Sequence, residues 1–270
     1  MTRYGTWNVY RDNEDGLPGI KRGITAMIGL RAEGFGLQEL SNDAWWVTIS
    51  KWMADQGWWF SKANNAVPLA VNAKVFTIGK NGNVVVSRDP VKVEPGAGGD
   101  KTGYKSFQYA EAVRKSNSER VLFINHHIIP SLEVDGKVGP SVRPLRWQFA
   151  LRQIAAVGKF AQPYIEDGWR VLVSSDWNIS SSTDAGATLR REMARWHLVS
   201  AQDTTDEGPL NTHTTREIDD LYGANGRFSR LQRVGPGTEK GYGKNGSDHS
   251  ALVATFDPKA SAPTGRNPRR

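Results

Sequence analysis

Six short stretches of the sequence put chemically capable side chains at the ends of apolar runs. Asn8 follows "TW", Glu39 closes "FGLQE", Asn125 and His127 close "VLFINHH", and Asp176 and Asn178 close "VLVSSDWN". Asp219 lies inside "EIDDLYG", and Asp248 with His249 stands directly before "SALVATF". Residues two apart on a strand point to one side, so Asn125 goes with His127 and Asp176 with Asn178. In α/β sheets ligands collect at strand ends, where loops from several strands converge. Glu39, Asp176, Asp219 and Asp248 would then share one crevice. Carboxylates brought together repel, which raises their pKa values unless a cation intervenes. A hard divalent ion with oxygen ligands resolves that conflict, Mg²⁺ first and Mn²⁺ second. Alone, an Asp-His pair at a loop–strand junction is ordinary turn chemistry. The six stretches together carry the reading.

The elements that must hold these residues read as alternating strands and helices. Residues 4–10 predict a strand, and "GIKRGITAMIGLRA" after Pro18 a helix. "FGLQEL" is a short strand ending at Glu39. Trp45, Ile49, Trp52 and Met53 recur at helical spacing over residues 42–56, which assigns these tryptophans to a buried face rather than to a stacking platform. "WWFSKA", "VPLAVN", "KVFTI" and "NVVVSR" read as short strands joined by tight turns. The polar stretch "EPGAGGDKTGYK" reads as a loop before the strand pair "SFQYAEAVRK" and "RVLFINHHI". Trp147, Leu151, Ile154, Val157 and Ala161 share one face of a long helix. After the strand "WRVLVSSDWN", Leu189, Met193 and Trp196 mark a further helix. The strands "EIDDLYG", "FSRLQRV" and "SALVATF" close the chain. With no repeat and no Pro- or Ser-rich boundary, one α/β domain is expected over residues 1–257. A basic tail over 258–270, "PKASAPTGRNPRR", is expected to be disordered.

Composition narrows the class. The 270 residues, 38% hydrophobic and 23% charged, suit one large globular domain. Cysteine is absent, which removes disulfides and thiolate metal sites. No export signal opens the chain and no run approaches 18 apolar residues. A soluble, cytoplasmic monomer without a membrane segment is the expectation. The net charge of +7 favours a polyanionic partner, although the basic residues are spread along the chain as on any solvated surface.

The ordered series "TWN", "LQE", "INHH", "SSDWN", "IDDL", "SDH" resembles the endonuclease/exonuclease/phosphatase superfamily, from Trp7 to Ser250. The resemblance implies a four-layer α/β sandwich: two mixed β-sheets face to face, helices on the outer faces, and the site at one edge. It further implies that Asn8 lies near the metal, that Glu39 is the principal metal-binding glutamate, and that Asp248 also faces the metal. His127 and His249 would contact phosphate, Asn178 would hold it, and Asp176 would orient or deprotonate the nucleophile. Asp219 would buttress the His249 imidazole. Such a site hydrolyses a phosphoric ester by neutralising the phosphoryl oxygens, aligning water and assisting the leaving oxygen.

This chain also departs from the family pattern. Ser175 replaces the glycine before the catalytic aspartate, Trp177 replaces phenylalanine, and Tyr10 stands where abasic-site endonucleases carry an acid. Asp219 and Asp220 are adjacent, which leaves the register ambiguous by one residue, with Ile218 favouring Asp219. His126 is a second candidate imidazole, and strand phase favours His127. "GAGGDKT" has Asp100 where a phosphate-binding loop needs glycine, and no helical pattern follows it. His197 reads as structural, whereas His213 precedes the Asp219 strand closely enough to approach the site. Arg190, Arg191 and Arg195 form a basic helix face that is ordinarily solvated but is able to track a phosphate backbone. With Lys240, Lys244 and the basic tail, they favour a nuclease, with DNA as the preferred substrate. A phosphomonoesterase or phospholipase acting on inositol phosphates or sphingomyelin-like headgroups is the alternative, and a catalytically dead binding module the third reading.

Overall fold

The computed structural model describes residues 1–61, 66–96, 99–134, 137–213, 216–234 and 246–258. Strand β1 (Thr2–Asn8) is followed by α1 (Gly16–Gly29), β2 (Gly34–Gln38), α2 (Asp43–Asp55), β3 (Trp58–Phe60), β4 (Leu69–Asn72) and β5 (Phe76–Ser87). The short antiparallel pair β6 (Lys92–Gly96) and β7 (Gly99–Lys101) precedes the longer β8 (Lys105–Arg114) and β9 (Arg120–His127). A ribbon of β10 (Glu133–Val134) and β11 (Lys137–Val138) comes before α3 (Pro144–Glu166) and β12 (Arg170–Asp176). Next are α4 (Asp184–Ala194), β13 (Val199–Ser200) and α5 (Ala201–Thr204). The final strands are β14 (Asp219–Ala224), β15 (Arg227–Val234) and β16 (Ala251–Asp257).

Two six-stranded sheets result, in the orders β15-β16-β1-β2-β4-β3 and β13-β14-β12-β9-β8-β5. Both are mixed, and each has one parallel pair at its centre, β1 with β2 and β9 with β12. Three apolar layers account for the four-layer sandwich. Trp7, Ile20, Ile24, Ile49 and Met53 join α1 and α2 to the first sheet. Tyr4, Phe123, Leu172, Leu252 and Phe256 fill the space between the sheets. Trp147, Ile154, Val157, Leu189 and Met193 seat α3 and α4 on the second sheet. Burial of these side chains from water is the main force holding the layers together.

Local chemistry agrees with the layers. Asn42 caps α2 by accepting from Trp45 N at 3.1 Å, Thr183 caps α4 by accepting from Gly186 N at 3.0 Å, and Pro144 opens α3. The sheets approach most closely at Gly36, where a Cβ would collide with Ser174 and Asn125. A polar tie crosses there: Gln38 Nε2 donates to Asn125 Oδ1 at 2.6 Å, and Tyr4 Oη donates to the Ile124 carbonyl at 2.8 Å. Buried polar groups satisfied in this way fix the register between the two sheets.

Three sequence expectations need correction. "KVFTI" and "NVVVSR" belong to the single strand β5, because pairing with β8 carries the chain through "GKNGN" with a register shift between Ile78 and Asn81. Neither Gly79 nor Gly82 takes a positive φ, so the tight turn expected there does not form. The supposed loop "EPGAGGDKTGYK" contributes β6 and β7, while the strand expected after it is β8. Helix α4 ends at Ala194, before Trp196. Among the described residues no helix is long and apolar enough to cross a membrane. Lys240, Lys244 and residues 259–270 of the basic tail lie outside the described residues.

Candidate active site

The two parallel pairs end at the same edge of the sandwich and deliver the site. Asn8 is the last residue of β1, Glu39 follows the last residue of β2, and His127 and Asp176 end β9 and β12. Asp219 opens β14 opposite Asp176, and His249 precedes β16. The backbone turns sharply where the strands stop. Glu39 has φ 62°, Tyr10 φ 59° and Asn178 φ 52°, a left-handed region that non-glycine residues seldom occupy. Such conformations persist where surrounding bonds over-determine them. Asn178 N donates to Asp176 Oδ1 at 2.7 Å, Tyr10 N to Asn8 Oδ1 at 2.9 Å, and Arg11 N to Glu39 Oε2 at 3.2 Å.

Asp176 stands at the centre. Its Oδ2 accepts from Asn8 Nδ2 at 2.8 Å and lies 3.5 Å from His127 Nε2 and 4.0 Å from His249 Nε2. Asn8 Nδ2 also donates to Glu39 Oε1 at 3.1 Å, so one amide holds two carboxylates in register. With Asn8 Oδ1 bound by Tyr10 N, this amide acts here as a clamp on Glu39 and Asp176. Asn178 Nδ2 lies 2.9 Å from His127 Nε2 and donates to the Ile128 carbonyl at 3.0 Å. Burial would raise the Asp176 carboxyl, but bonding to His127 and the neighbouring imidazole charges hold it well below the usual carboxylate range.

On the facing side, His249 Nδ1 donates to Asp219 Oδ2 at 2.8 Å. The pair is almost completely enclosed. Burial alone would discharge the imidazole, but the Asp219 carboxylate, aided by Asp176 and Asp248, overcomes it and pushes the pKa up to about 10. Trp7 Nε1 donates to the His249 carbonyl at 3.1 Å, and Ser247 Oγ accepts from His249 N at 3.0 Å. The register question is thereby answered in geometry. Asp219 touches the imidazole, whereas Asp220 faces the other way, bonded to Ser200 Oγ at 2.5 Å and Leu221 N at 2.7 Å.

Asp248 lies on the rim, with Oδ2 3.3 Å from His213 Nε2 and Oδ1 3.9 Å from His249 Nε2. Burial would raise its pKa, but the bond from His213 and the charges of His249 and His213 together lower it. The His213 ring packs on His249 at 4.8 Å between centroids. His213 is therefore part of the site, and the only sequence signal for it was its place just ahead of the Asp219 strand. Two residues escaped sequence reasoning altogether: Gln38, which ties Asn125 across the sheets, and Lys105, whose ammonium feels the Glu39 charge while burial lowers its pKa.

Other candidates lie elsewhere. His126 is buried on the helix side, its ring edge-on to Phe107, and burial drives its pKa down to about 3. His197 is exposed and ends the turn after α4. The arginines of that helix have partners within the protein: Arg190 with Asp203 at 2.9 Å, Arg191 with Thr188 Oγ1 at 2.7 Å and Arg195 with Glu192 at 2.7 Å.

Among the described residues three groups have ligand atoms close enough to hold a metal ion: Glu39, His127 and Asp176; Asp176, Asp219 and His249; and His213, Asp248 and His249. None of these groups contains both Glu39 and Asp248. The donors are carboxylates and imidazoles, and Asp248 Oδ1 is buried without a hydrogen-bond partner, as a ligand oxygen awaiting a cation would be. The set is able to hold a divalent metal ion.

No protein-family model and no curated protein sequence matches this chain. Solved structures do. An endonuclease/exonuclease/phosphatase from Bacteroides vulgatus superposes with a TM-score of 0.68 at 14% identity, covering 95% of this chain and 98% of its own. The Bacteroides thetaiotaomicron mannosyl-6-phosphatase gives 0.67 at 15% identity, over 95% and 100%. D. rerio TDP2 complexed with a single-strand DNA product gives 0.61 at 12% identity, over 95% and 98%. The fold is that of the endonuclease/exonuclease/phosphatase superfamily, as the order of the six motifs implied.

Proposed function

We propose that this protein is a divalent-metal-dependent phosphodiesterase that hydrolyses nucleic acid, DNA in preference. The observation that carries the reading is a charged imidazole, His249 on Asp219, facing an ionised carboxylate, Asp176, that Asn8 clamps to Glu39. A phosphoryl group placed against the rim that they share would meet a proton donor in His249 and a water-aligning carboxylate in Asp176.

In this mechanism Asp219 keeps the proton on His249 Nδ1, which leaves Nε2–H to donate to a phosphoryl oxygen. Asp176, held ionised, aligns the attacking water and takes up its proton. His127 and Asn178, already bonded to each other at 2.9 Å, contact the remaining oxygens. Glu39 would hold a metal ion at one end of the site, and Asp248, which shares no ligand group with it, would hold one only at the opposite rim; a bound ion supplies Lewis acidity to the phosphoryl oxygens. The net charge of +7 supports a polyanionic substrate, and the structural likeness to TDP2 with its single-strand DNA product supports nucleic acid. The likeness to the mannosyl-6-phosphatase makes phosphomonoester hydrolysis the second reading.

Purified protein offered plasmid, RNA, inositol phosphates and mannose 6-phosphate, with Mg²⁺ or with chelator, tests both readings. Cleavage of plasmid or RNA in Mg²⁺, abolished by chelator and by Glu39→Gln, is expected. Release of inorganic phosphate from the small esters alone would install the second reading. Full activity of Glu39→Gln in Mg²⁺ would remove Glu39 as the principal ligand.

A further inference from the structure

At the side edge of the sandwich, a groove of about 410 Å³ opens between the outer strands of the two sheets. Trp59 and Phe60 of β3 form one wall, and Asn81, Asn83 and Gln108 of β5 and β8 form the other. None of its described lining residues is charged. Its volume lies within the range of small-ligand sites, which pair apolar and aromatic surface with a few polar groups that orient the ligand.

The register connects this groove to the reacting centre. Gln108 stands opposite Asn125, and Asn125 shares a strand face with His127, two residues on and about 7 Å along the strand. Lys105, three residues before Gln108 on β8, lies close enough to Glu39 to feel its charge. With about 5 Å more for each strand crossed, a phosphate held by His127 and His249 would have an aromatic-walled groove, uncharged among its described residues, within one to two nucleotides' reach. An uncharged lining is the wrong chemistry for a second phosphate or for an inositol polyphosphate. It suits a planar, neutral ring with hydrogen-bonding edges.

The polar wall is specific about what it offers. Asn81 Nδ2 donates to the Gly79 carbonyl at 3.0 Å, which fixes that amide and leaves Oδ1 as the acceptor for a ligand. Asn83 Nδ2 is bonded to Tyr104 Oη at 3.0 Å, so its position too is set from within the protein. Aromatic faces that stack bases, and amide groups that meet base edges, are how single strands are read.

We propose that this groove receives a nucleobase of the strand whose phosphate lies at His127 and His249, which makes the substrate a single-stranded or locally unpaired polynucleotide. This rests on the phosphodiesterase reading above. A base inside a paired duplex is stacked and cannot enter such a groove without being extruded.

The test is fluorescence anisotropy with the full chain in chelator, which stops cleavage. The probes are a labelled mixed-sequence single-stranded 12-mer and an abasic strand with the same number of phosphates. The base-containing strand should bind about fivefold tighter or more. Trp59→Ala and Asn83→Leu should each bring the ratio of the two affinities close to one. Asn83 lies on an edge strand outside the apolar core, so its variant keeps the test informative if Trp59→Ala fails to fold. Equal affinities for the two strands, or an unchanged ratio in Asn83→Leu, would overturn the groove assignment and leave the phosphodiesterase reading standing. Displacement of the 12-mer by mannose 6-phosphate more effectively than by nucleoside monophosphates would assign the groove to a sugar. If no phosphodiester is cleaved in Mg²⁺, both proposals fall.

Discussion

Two adjacent rows of the second sheet carry nearly the same residue types and have opposite surroundings. In one row His127, Asp176 and Asp219 lie side by side across β9, β12 and β14. In the next, one residue away on each strand, stand His126, Ser175 and Asp220. A one-residue step reverses the face of a strand, so the first row meets the site edge and the second meets the helical layer. Around the first row opposite charges face one another: the imidazole neighbours lower Asp176 against burial, and Asp219, itself raised by burial, lifts His249. In the second, burial holds the groups neutral: His126 falls to about 3 and Asp220 rises to about 7. Residue type therefore does not distinguish chemistry from structure here. What distinguishes them is whether an opposite charge sits within reach.

The sharpest way to break this contrast is through turnover. His249→Ala should lower the rate roughly a thousandfold or more, the range expected for a general acid that also stabilises phosphoryl charge. Asp219→Asn combined with it should cost little more, because the two residues act as one unit. On its own, Asp219→Asn removes a nearby negative charge and lowers the pKa of His249. Activity needs the protonated imidazole, so the basic limb of the pH–rate profile should move to lower pH. Asp220→Asn, one residue away on the opposite face, should turn over at a near-native rate. Equal losses in the two Asn variants would erase the distinction between the rows.

Binding gives a smaller effect. If phosphate contacts dominate, the affinity of His249→Ala for DNA should fall steeply between about 50 and 200 mM salt, by tenfold or more for a few contacts. A flat response would point to a small-molecule ester as substrate. This measurement separates the site's own charges from the general +7 balance, since Arg190, Arg191 and Arg195 already have partners within the protein.

Much of this was legible before the fold. The period of two along "INHH" and "SSDWN" selects His127 over His126 and places Asp176 with Asn178, since each choice needs only strand phase. Ile218 likewise pointed to Asp219. What alternation cannot give is the partner strand. The union of β5 through "GKNGN" depends on pairing with β8, which overrides local turn residues. His213 reaches Asp248 only because it bridges to His249 across the sheet edge. The left-handed turns at Tyr10 and Asn178 are held by bonds to the side chains two residues back, Asn8 and Asp176, and the one at Glu39 by Arg11 N, rather than by glycine. The groove at Trp59 and Asn83 needs both sheet edges in place, and these residues lie 24 positions apart in separate sheets.

The smallest effects are in stability, where the neutral row should show two opposed pH slopes. Asp220 has a folded pKa of about 7 against an ordinary 3.8. Between these values the folded state carries a proton that the unfolded state has lost, so stability falls as pH rises. His126 has a folded pKa of about 3 against 6.5. Between these values the unfolded state carries the extra proton, so stability rises with pH. From about pH 4 to 6.5 the two slopes have opposite signs and oppose each other in the native protein. Asp220→Asn keeps an acceptor for Leu221 N and gains a donor for Ser200 Oγ while ceasing to titrate. Its stability should therefore climb with pH relative to the native protein. His126→Gln should show the reverse, a relative decline over the same window. Urea unfolding at half-unit steps from pH 4 to 6.5 measures both, and slopes are compared, so a uniform loss from altered packing does not obscure the result. Parallel curves for all three proteins would mean that the second row is not held neutral, and the contrast between the two rows would fail at its quieter half.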